Sequence, residues 1–236
     1  MNHLTVQPGA RALWGALLLG IAVDLALVGA RVLLYPAVVT LPGGWIYLFE
    51  PVVLLSAYAG LGWWLTSTTS PAHQAALRAG TLFGVLSGGV WIANLVVETF
   101  ADLDVRASAF VFLPLLLGAF LLWGVAGLRT AMRTGSLSLA IVAAVWSAMN
   151  SIVILVAFGF LMMFISLPRL EQELAAAPEY RSLGWHDIGA FAIANTFDAG
   201  FSHLLIAPLV AVFFGALGAL VSKGWVWWRA SREQQE

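Results

Sequence analysis

Six apolar stretches, each long enough to cross a bilayer, dominate this sequence. A helix needs about 20 apolar residues to cross roughly 30 Å of hydrocarbon. Such stretches lie at about 11–35, 47–66, 77–100, 108–128, 137–167 and 200–222. Because lipid offers no hydrogen-bond partner, each stretch must close its own backbone bonds as a helix, and the alternating pattern of a membrane barrel is absent. The sequence therefore predicts an all-α, polytopic membrane protein, a bundle of six transmembrane helices with short loops.

The composition agrees with a membrane protein and excludes several functions. The chain is 61% hydrophobic and only 10% charged, whereas soluble domains carry about 25% charged residues. A net charge of −1 leaves no basic face, so we expect no nucleic-acid partner. The chain has no cysteine, which excludes disulfides and thiolate chemistry. The first apolar run, 12–36, exceeds the roughly 7–15 apolar residues of a signal peptide, so we expect it to remain as a span.

The loops are too short to form a second domain, so we expect one transmembrane domain over 1–236. The only long connection, 168–199, is predicted to be an outer loop. Its leucines recur at helical spacing opposite two glutamates, which predicts a short surface or re-entrant helix. Gly200 could allow a break nearby. The sequence leaves open whether 187–222 is one helix or a broken one.

The orientation of the chain follows from the lysines and arginines of the short loops, which collect on the cytoplasmic side. One side carries Arg11, Arg78, Arg129, Arg133, Lys223, Arg229 and Arg232. The other carries Arg31, Arg106, Arg169 and Arg181, with the carboxylates Glu50, Glu98, Asp102, Asp104, Glu171, Glu173, Glu179 and Asp187. We therefore expect a cell inner-membrane protein with both termini in the cytoplasm.

Two polar side chains are predicted deep in the hydrocarbon. At about 1.5 Å per residue, Asp24 lies about 20 Å along the first span and Asn150 about 18 Å along the fifth. An ionised aspartate at a helix centre costs on the order of 3 kcal/mol. Asp24 is therefore expected to be protonated, paired or facing water. Arg31 lies on a similar face about 10 Å away, too far for a direct pair.

A second group of polar side chains falls near the outer ends of the helices. They could simply be interfacial groups that touch water. Alternatively, they could form an outward-facing polar cavity, since transporters often bind solutes near the midplane beside discontinuous helices. In this second interpretation Asp24 and Asn150 would form its floor. The candidate cavity residues are Asp24, Glu98, Asn150, Asn195, Asp198 and His203.

Two short patterns have structural interpretations. Gly80, Gly84 and Gly88 recur four residues apart, which is typical of close helix packing. The pattern favours packing inside the bundle over a homodimer seam. The tripeptide Ile-Ala-Asn occurs at 92–94 and at 193–195. Both copies fall toward the outer side, whereas an inverted repeat would place them at opposite depths, so we interpret the match as chance.

No catalytic, cofactor or metal-binding motif is present, so we predict no catalytic residue, no cofactor and no metal site, and we disfavour an enzyme. Two functions of different class remain. The first is a small-solute or ion transporter built around the outward cavity. The second is a non-catalytic membrane subunit, scaffold or sensor that acts through helix contacts. Its partners would be the lipid bilayer and a second copy or another membrane protein.

Overall fold

The computed structural model describes residues 8–40, 44–68, 70–101, 104–182 and 184–233; Asp102, named above with the acidic group, lies outside them. The helices are α1 Pro8–Leu34, α2 Ala37–Thr40, α3 Ile46–Thr66, α4 Pro71–Phe100, α5 Val105–Thr134, α6 Leu137–Leu174, α7 Pro178–Ser182 and α8 Ile188–Glu233. Within these ranges six helices, α1, α3, α4, α5, α6 and α8, are long and apolar enough to cross a membrane. The chain is a multi-pass membrane protein, and the predicted all-α bundle is confirmed.

Local capping sets where the central helices begin. The side chains of Ser70, Asp104 and Ser136 accept hydrogen bonds from the first turns of α4, α5 and α6. Such caps satisfy backbone donors that the helix cannot pair, each contributing about 1 kcal/mol. Gly135, at a φ of 66°, ends α5 in the left-handed conformation that glycine tolerates best. α6 can therefore start at once and return antiparallel to α5.

Four helices form the core of the bundle. In the cross-section α4 neighbours α5 and α6, and α8 also neighbours α5 and α6, so α4 and α8 lie on opposite sides. α1 and α3 pack together on the flank formed by α6 and α8. The largest buried side chains, Trp123, Trp146, Phe160, Phe197 and Phe201, belong to α5, α6 and α8.

The glycine stripe of α4 packs against α6. A Cβ on Gly80 would lie 2.5 Å from the Ala143 carbonyl oxygen, and one on Gly84 would lie 2.7 Å from that of Ser147. A Cβ on Gly88 would lie 3.1 Å from Ile154. The stripe lets the two backbones approach closely and is covered inside the chain, so it presents no free seam to a second copy.

Small residues also close the contact between α5 and α8. A Cβ on Gly218 would lie 2.5 Å from the Gly124 carbonyl oxygen, and one on Gly127 would lie 2.9 Å from the Gly215 Cα. These contacts lie in the half of the core nearer the two chain termini. That half has no room for a side chain larger than hydrogen at these positions.

The last third of the chain differs from the expected loop. α6 continues through Pro168 to Leu174, and α8 begins at Ile188 and runs unbroken through Gly200 to Glu233. Only 175–187 connects them, with α7 inside it, so much of the expected outer loop 168–199 is helical. A break at Gly200 would leave backbone groups without partners in hydrocarbon, which the helix avoids.

α8 contains one proline, Pro208, and a side chain of α3 replaces the backbone hydrogen bond that the proline removes. Pro208 has no N–H, so it cannot donate to the carbonyl of Leu204 one turn earlier. The hydroxyl of Tyr58 on α3 donates to that carbonyl at 2.7 Å, and the bond is buried. α3 thus completes the backbone hydrogen bonding of α8.

The bundle has two chemically distinct ends. At the end with the chain termini, Arg78 lies beside Gly9, and α4 and α5 bring Arg78, Arg129 and Arg133 together; we name this the basic end. At the opposite end, Glu98 and Glu173 meet between α4 and α6; we name this the acidic end.

Candidate functional site

A cavity of about 450 Å³ opens between α4, α5, α6 and α8 at the acidic end, and we name it the vestibule. Its main polar lining residues are Asn94, Glu98, Arg169, Glu173, Asn195 and His203. A smaller cavity of about 200 Å³ shares Asn94, Glu98, Arg169 and Glu173 with it and continues toward Ser108 at the start of α5. Polar side chains from three of the four core helices therefore converge on one space.

The vestibule is deep relative to the bilayer. Its lining on α6 runs from Arg169 at the rim down to Leu155. At about 1.5 Å per residue these positions are about 21 Å apart along the helix. The hydrocarbon core is roughly 30 Å thick. The vestibule therefore reaches far into the bundle.

The floor of the vestibule is aromatic. Trp91 is 5% exposed and packs its ring edge-on against His203, with the ring centres 5.7 Å apart, and against Phe120 at 5.8 Å. The indole N–H of Trp91 is buried and has no acceptor within the described chain. By contrast, Trp123 donates to Ser151 at 3.1 Å. The tryptophan that faces the vestibule is the one left with an unused donor.

Three polar side chains of the wall have no hydrogen-bond partner among the described residues. Asn94 is only 6% exposed, yet it makes no hydrogen bond to any residue that the structure describes. The same holds for Glu98 and Asn195, which are exposed to the vestibule. Amides and carboxylates that line a space inside a membrane protein need hydrogen-bond partners, whether they are nearly buried, as Asn94 is, or open to the cavity, as Glu98 and Asn195 are. Water or a bound solute must supply them here.

The described part of the rim contains more carboxylates than guanidinium groups. Arg169 donates from Nε to Glu173 Oε1 at 3.2 Å, in an ion pair between residues four apart on α6. Glu98 on α4 adds a second carboxylate to the same lining. Among the lining residues that the structure describes, two carboxylates therefore face one guanidinium. This balance favours cations over anions in the vestibule.

His203 presents one nitrogen for binding. Its Nδ1 lies 2.6 Å from the carbonyl oxygen of Ala199, one turn earlier on α8. A carbonyl can only accept, so Nδ1 carries the proton and Nε2 is the acceptor in the neutral ring. Nε2 makes no hydrogen bond to the described residues, which leaves it available to a donor group in the vestibule.

The structure brings together only some of the predicted cavity residues. Glu98, Asn195 and His203 line the vestibule, whereas Asp198 is exposed on α8 outside its lining. Asn150 faces α4 at Gly84 and donates to its own helix at the Trp146 carbonyl, 2.7 Å away. Asp24 lies on α1, outside the core that encloses the vestibule. The expected floor of Asp24 and Asn150 is therefore replaced by Trp91.

Asp24 belongs to a separate buried group. Its side chain is 0% exposed, and neither carboxylate oxygen has a partner among the described residues. Arg31, seven residues later, is 2% exposed and stacks on Phe164, with its Cζ 3.4 Å from the ring centre. The two residues are about 10 Å apart along α1, so they form no direct ion pair. A carboxyl group and a guanidinium group therefore lie buried on one helix, and the structure describes no ion pair for either of them.

Sequence reasoning missed part of the site. Arg169 and Glu173 fall in the expected outer loop 168–199, but they line the rim of the vestibule because α6 continues past Pro168. Asn94 and Asn195, the last residues of the two Ile-Ala-Asn copies, both line the vestibule from opposite sides. The repeated tripeptide was therefore the signal that could have identified this pair.

Comparison of the chain with known protein families, with curated proteins and with solved structures finds no match. The geometry of the vestibule is therefore the basis for a function.

Proposed function

We propose that the protein lies in the cell inner membrane with the basic end and both termini in the cytoplasm. The support is the distribution of basic residues, since lysine and arginine in short loops stay on the cytoplasmic side. In this orientation the vestibule opens outward. The orientation can be tested by adding a reporter at either terminus and measuring its exposure in intact cells.

The protein binds a small cationic solute in the vestibule and moves it across the membrane. One observation carries this proposal: Asn94, Glu98 and Asn195 surround a deep cavity and have no protein partner within the described chain. Polar groups held this way inside a membrane protein are costly unless they serve a ligand or water. A cavity of about 450 Å³ also falls in the range of roughly 300–1,000 Å³ that is usual for small-molecule sites.

The chemistry of the lining favours an amine. A protonated amine could pair with the carboxylate of Glu98 and donate to the Nε2 of His203. The aromatic floor at Trp91 suits a cation, because a ring face attracts positive charge. The amides of Asn94 and Asn195 can accept from or donate to the same solute, which would fix its orientation.

Transport, rather than binding alone, is supported by the architecture below the vestibule. The basic-end half of the same four helices is closed by glycine and alanine contacts, so a small displacement of one helix changes access. Between the two halves, Pro208 replaces one backbone hydrogen bond of α8 with the bond from Tyr58 on α3, so a movement of α8 at this point is coupled to α3. These features are those that alternating access requires, namely a site open to one side and closed to the other.

Thiol labelling tests whether the vestibule is wet and selects cations. The native chain has no cysteine, so single cysteines can be introduced directly. At Asn195→Cys the ratio of the rate with a cationic methanethiosulfonate reagent to the rate with an anionic one should exceed the ratio for a free thiol several-fold, and Glu98→Gln should remove this excess. Leu209→Cys, on the exposed lipid face of α8, is the matched control and should react with neither. Equal rates for the two reagents at position 195 would contradict a cation-selective vestibule.

Reconstitution tests transport itself. Liposomes containing the protein should take up radiolabelled methylammonium or choline, and Glu98→Gln should reduce uptake about tenfold, as expected for a lost charge-assisted bond. Binding without uptake would instead favour the second function, a sensor or subunit that detects the solute. If the protein neither binds nor takes up methylammonium or choline, the proposal that it handles a cationic solute is wrong.

A further inference from the structure

A second cavity, of about 460 Å³, lies at the basic end between the first turns of α4 and the last turns of α5. Its lining shares no residue with the vestibule. Arg78 comes from α4, and Arg129 and Arg133 come from α5. We name it the arginine cavity.

The three guanidinium groups have no balancing carboxylate. The lining contains no aspartate or glutamate. Within the ranges that the structure covers, the only carboxylate at the basic end is Glu233, in the last turn of α8. No ion pair or hydrogen bond joins any of the three arginines to another described side chain. Arg129 and Arg133 also stand four residues apart on one face, where like charges repel. Such a cluster is stabilised by an external anion.

A buried amide adds an unused donor to the same wall. Gln74 is 7% exposed, lines the arginine cavity, and its Nε2 is buried without an acceptor in the described part of the chain. An amide nitrogen in this position requires an oxygen acceptor. The anion that the arginines attract would supply one.

The surface next to the arginine cavity is apolar and faces lipid. On α4, Leu82 and Leu86 follow Arg78 at intervals of four residues, and both are about half exposed. On α5, Val125 and Leu121 precede Arg129 at the same interval and are also exposed. Two ridges of residues therefore carry cations at the membrane surface and apolar side chains toward its interior. This surface is complementary to an amphiphile with an anionic head group and hydrocarbon tails.

We propose that the arginine cavity binds a phosphate group, and that an anionic phospholipid of the leaflet at the basic end supplies it. Guanidinium groups match phosphate oxygens with paired, charge-assisted hydrogen bonds. Basic pockets between membrane helices at the headgroup level recognise lipid head groups in this way. The lipid tails lie along Leu82, Leu86, Leu121 and Val125. This site is independent of the proposed transport function.

Native mass spectrometry of the full chain in neutral detergent tests the lipid site. The probes are short-chain phosphatidylglycerol, phosphatidylcholine and inorganic phosphate. Phosphatidylglycerol should bind at least about tenfold more tightly than phosphatidylcholine, and R129Q/R133Q should remove this preference. R229Q/R232Q is the matched control, since it removes two arginines of the same end that lie outside the cavity, and it should bind the lipid like the native chain.

A second variant keeps the test decisive if R129Q/R133Q does not fold. R129K/R133K preserves both charges but not the paired geometry, and it should weaken phosphatidylglycerol binding by a few fold. Equal binding of the two lipids by the native chain, or an equal loss in the R229Q/R232Q control, would overturn the site. Inorganic phosphate that binds as tightly as phosphatidylglycerol would overturn the lipid as the source of the phosphate.

Discussion

The two halves of the four-helix core are built from the same helices but are open at one end and closed at the other. Along one ridge of α8, Asn195, Ala199 and His203 line the vestibule, and farther along Ala211 and Gly215 are buried against α6. α4 repeats this contrast in reverse chain order, with the stripe Gly80, Gly84 and Gly88 followed by the vestibule residues Trp91, Asn94 and Glu98. Side-chain size along these ridges therefore decides whether the helices touch or enclose a cavity.

The largest expected contrast between the halves is in reactivity. Ala199→Cys should be labelled by a membrane-impermeant thiol reagent at least about 100-fold faster than Ala211→Cys, because Ala199 lines the vestibule and Ala211 is fully buried. The measurement is the labelling rate of the purified protein in nanodiscs, where both ends are accessible. Asp24→Cys should behave like the closed half, since position 24 is sealed. Rapid labelling at 211 or 24 would show that the closed half is wet.

The second prediction is that one added methyl group disrupts the packing of the closed half. Gly80→Ala should lower the free energy of unfolding by about 2 kcal/mol, since its Cβ would meet the Ala143 carbonyl oxygen and the Trp146 ring. Denaturant unfolding in micelles measures this. Gly89→Ala is the matched control on the same helix, because no atom lies within 4 Å of the new Cβ, and its stability should be unchanged or slightly higher. Equal losses in the two variants would argue against close packing at Gly80.

The third prediction concerns the boundary between the halves. Tyr58→Phe removes the donor to the Leu204 carbonyl and leaves that carbonyl unpaired above Pro208. Stability should fall by about 1–2 kcal/mol, the cost of a buried acceptor left without a partner. Denaturant unfolding measures this, and the control compares Pro208→Ala alone with the double variant Tyr58→Phe/Pro208→Ala. Pro208→Ala restores a backbone N–H that can donate to the Leu204 carbonyl, so Tyr58→Phe should cost less stability in that background.

The smallest expected effect is on the rim of the open half. Glu173→Gln removes a solvent-exposed ion pair with Arg169 and should change the free energy of unfolding by less than about 0.5 kcal/mol. Glu98→Gln should be equally mild for stability, since its carboxylate has no partner in the described chain. A large destabilisation by either would mean that the rim charges maintain the fold, whereas the proposal assigns Glu98 to solute binding.

The sequence predicted the helices well because lipid admits few alternatives. Apolar length alone identifies six spans, and the same physical constraint keeps α8 unbroken at Gly200. The faces of the helices were harder to predict. Counting residues estimates how deep Asn150 lies, but not that its side chain points to α4 at Gly84 rather than into the vestibule.

The vestibule residues were only partly predictable for a related reason. Glu98, Asn195 and His203 were identified because polar groups in an apolar helix stand out. Trp91 does not stand out, because tryptophans are frequent in this chain, and its unused N–H becomes visible only in three dimensions. Asp24 was the most conspicuous polar residue and yet lies outside the vestibule, because no local pattern states which helices enclose the cavity.

The bond from Tyr58 to Leu204 has a mechanical consequence. A membrane helix whose backbone bonding is completed by a neighbour cannot bend there without losing that bond or carrying the neighbour along. α3 and the vestibule half of α8 therefore respond to force as one lever. Much of α3 is exposed to lipid, including Phe49 and Trp64 near its two ends. Tilting of α3 by a change in bilayer thickness is therefore expected to act on the turn of α8 that contains Leu204 and the neighbouring His203.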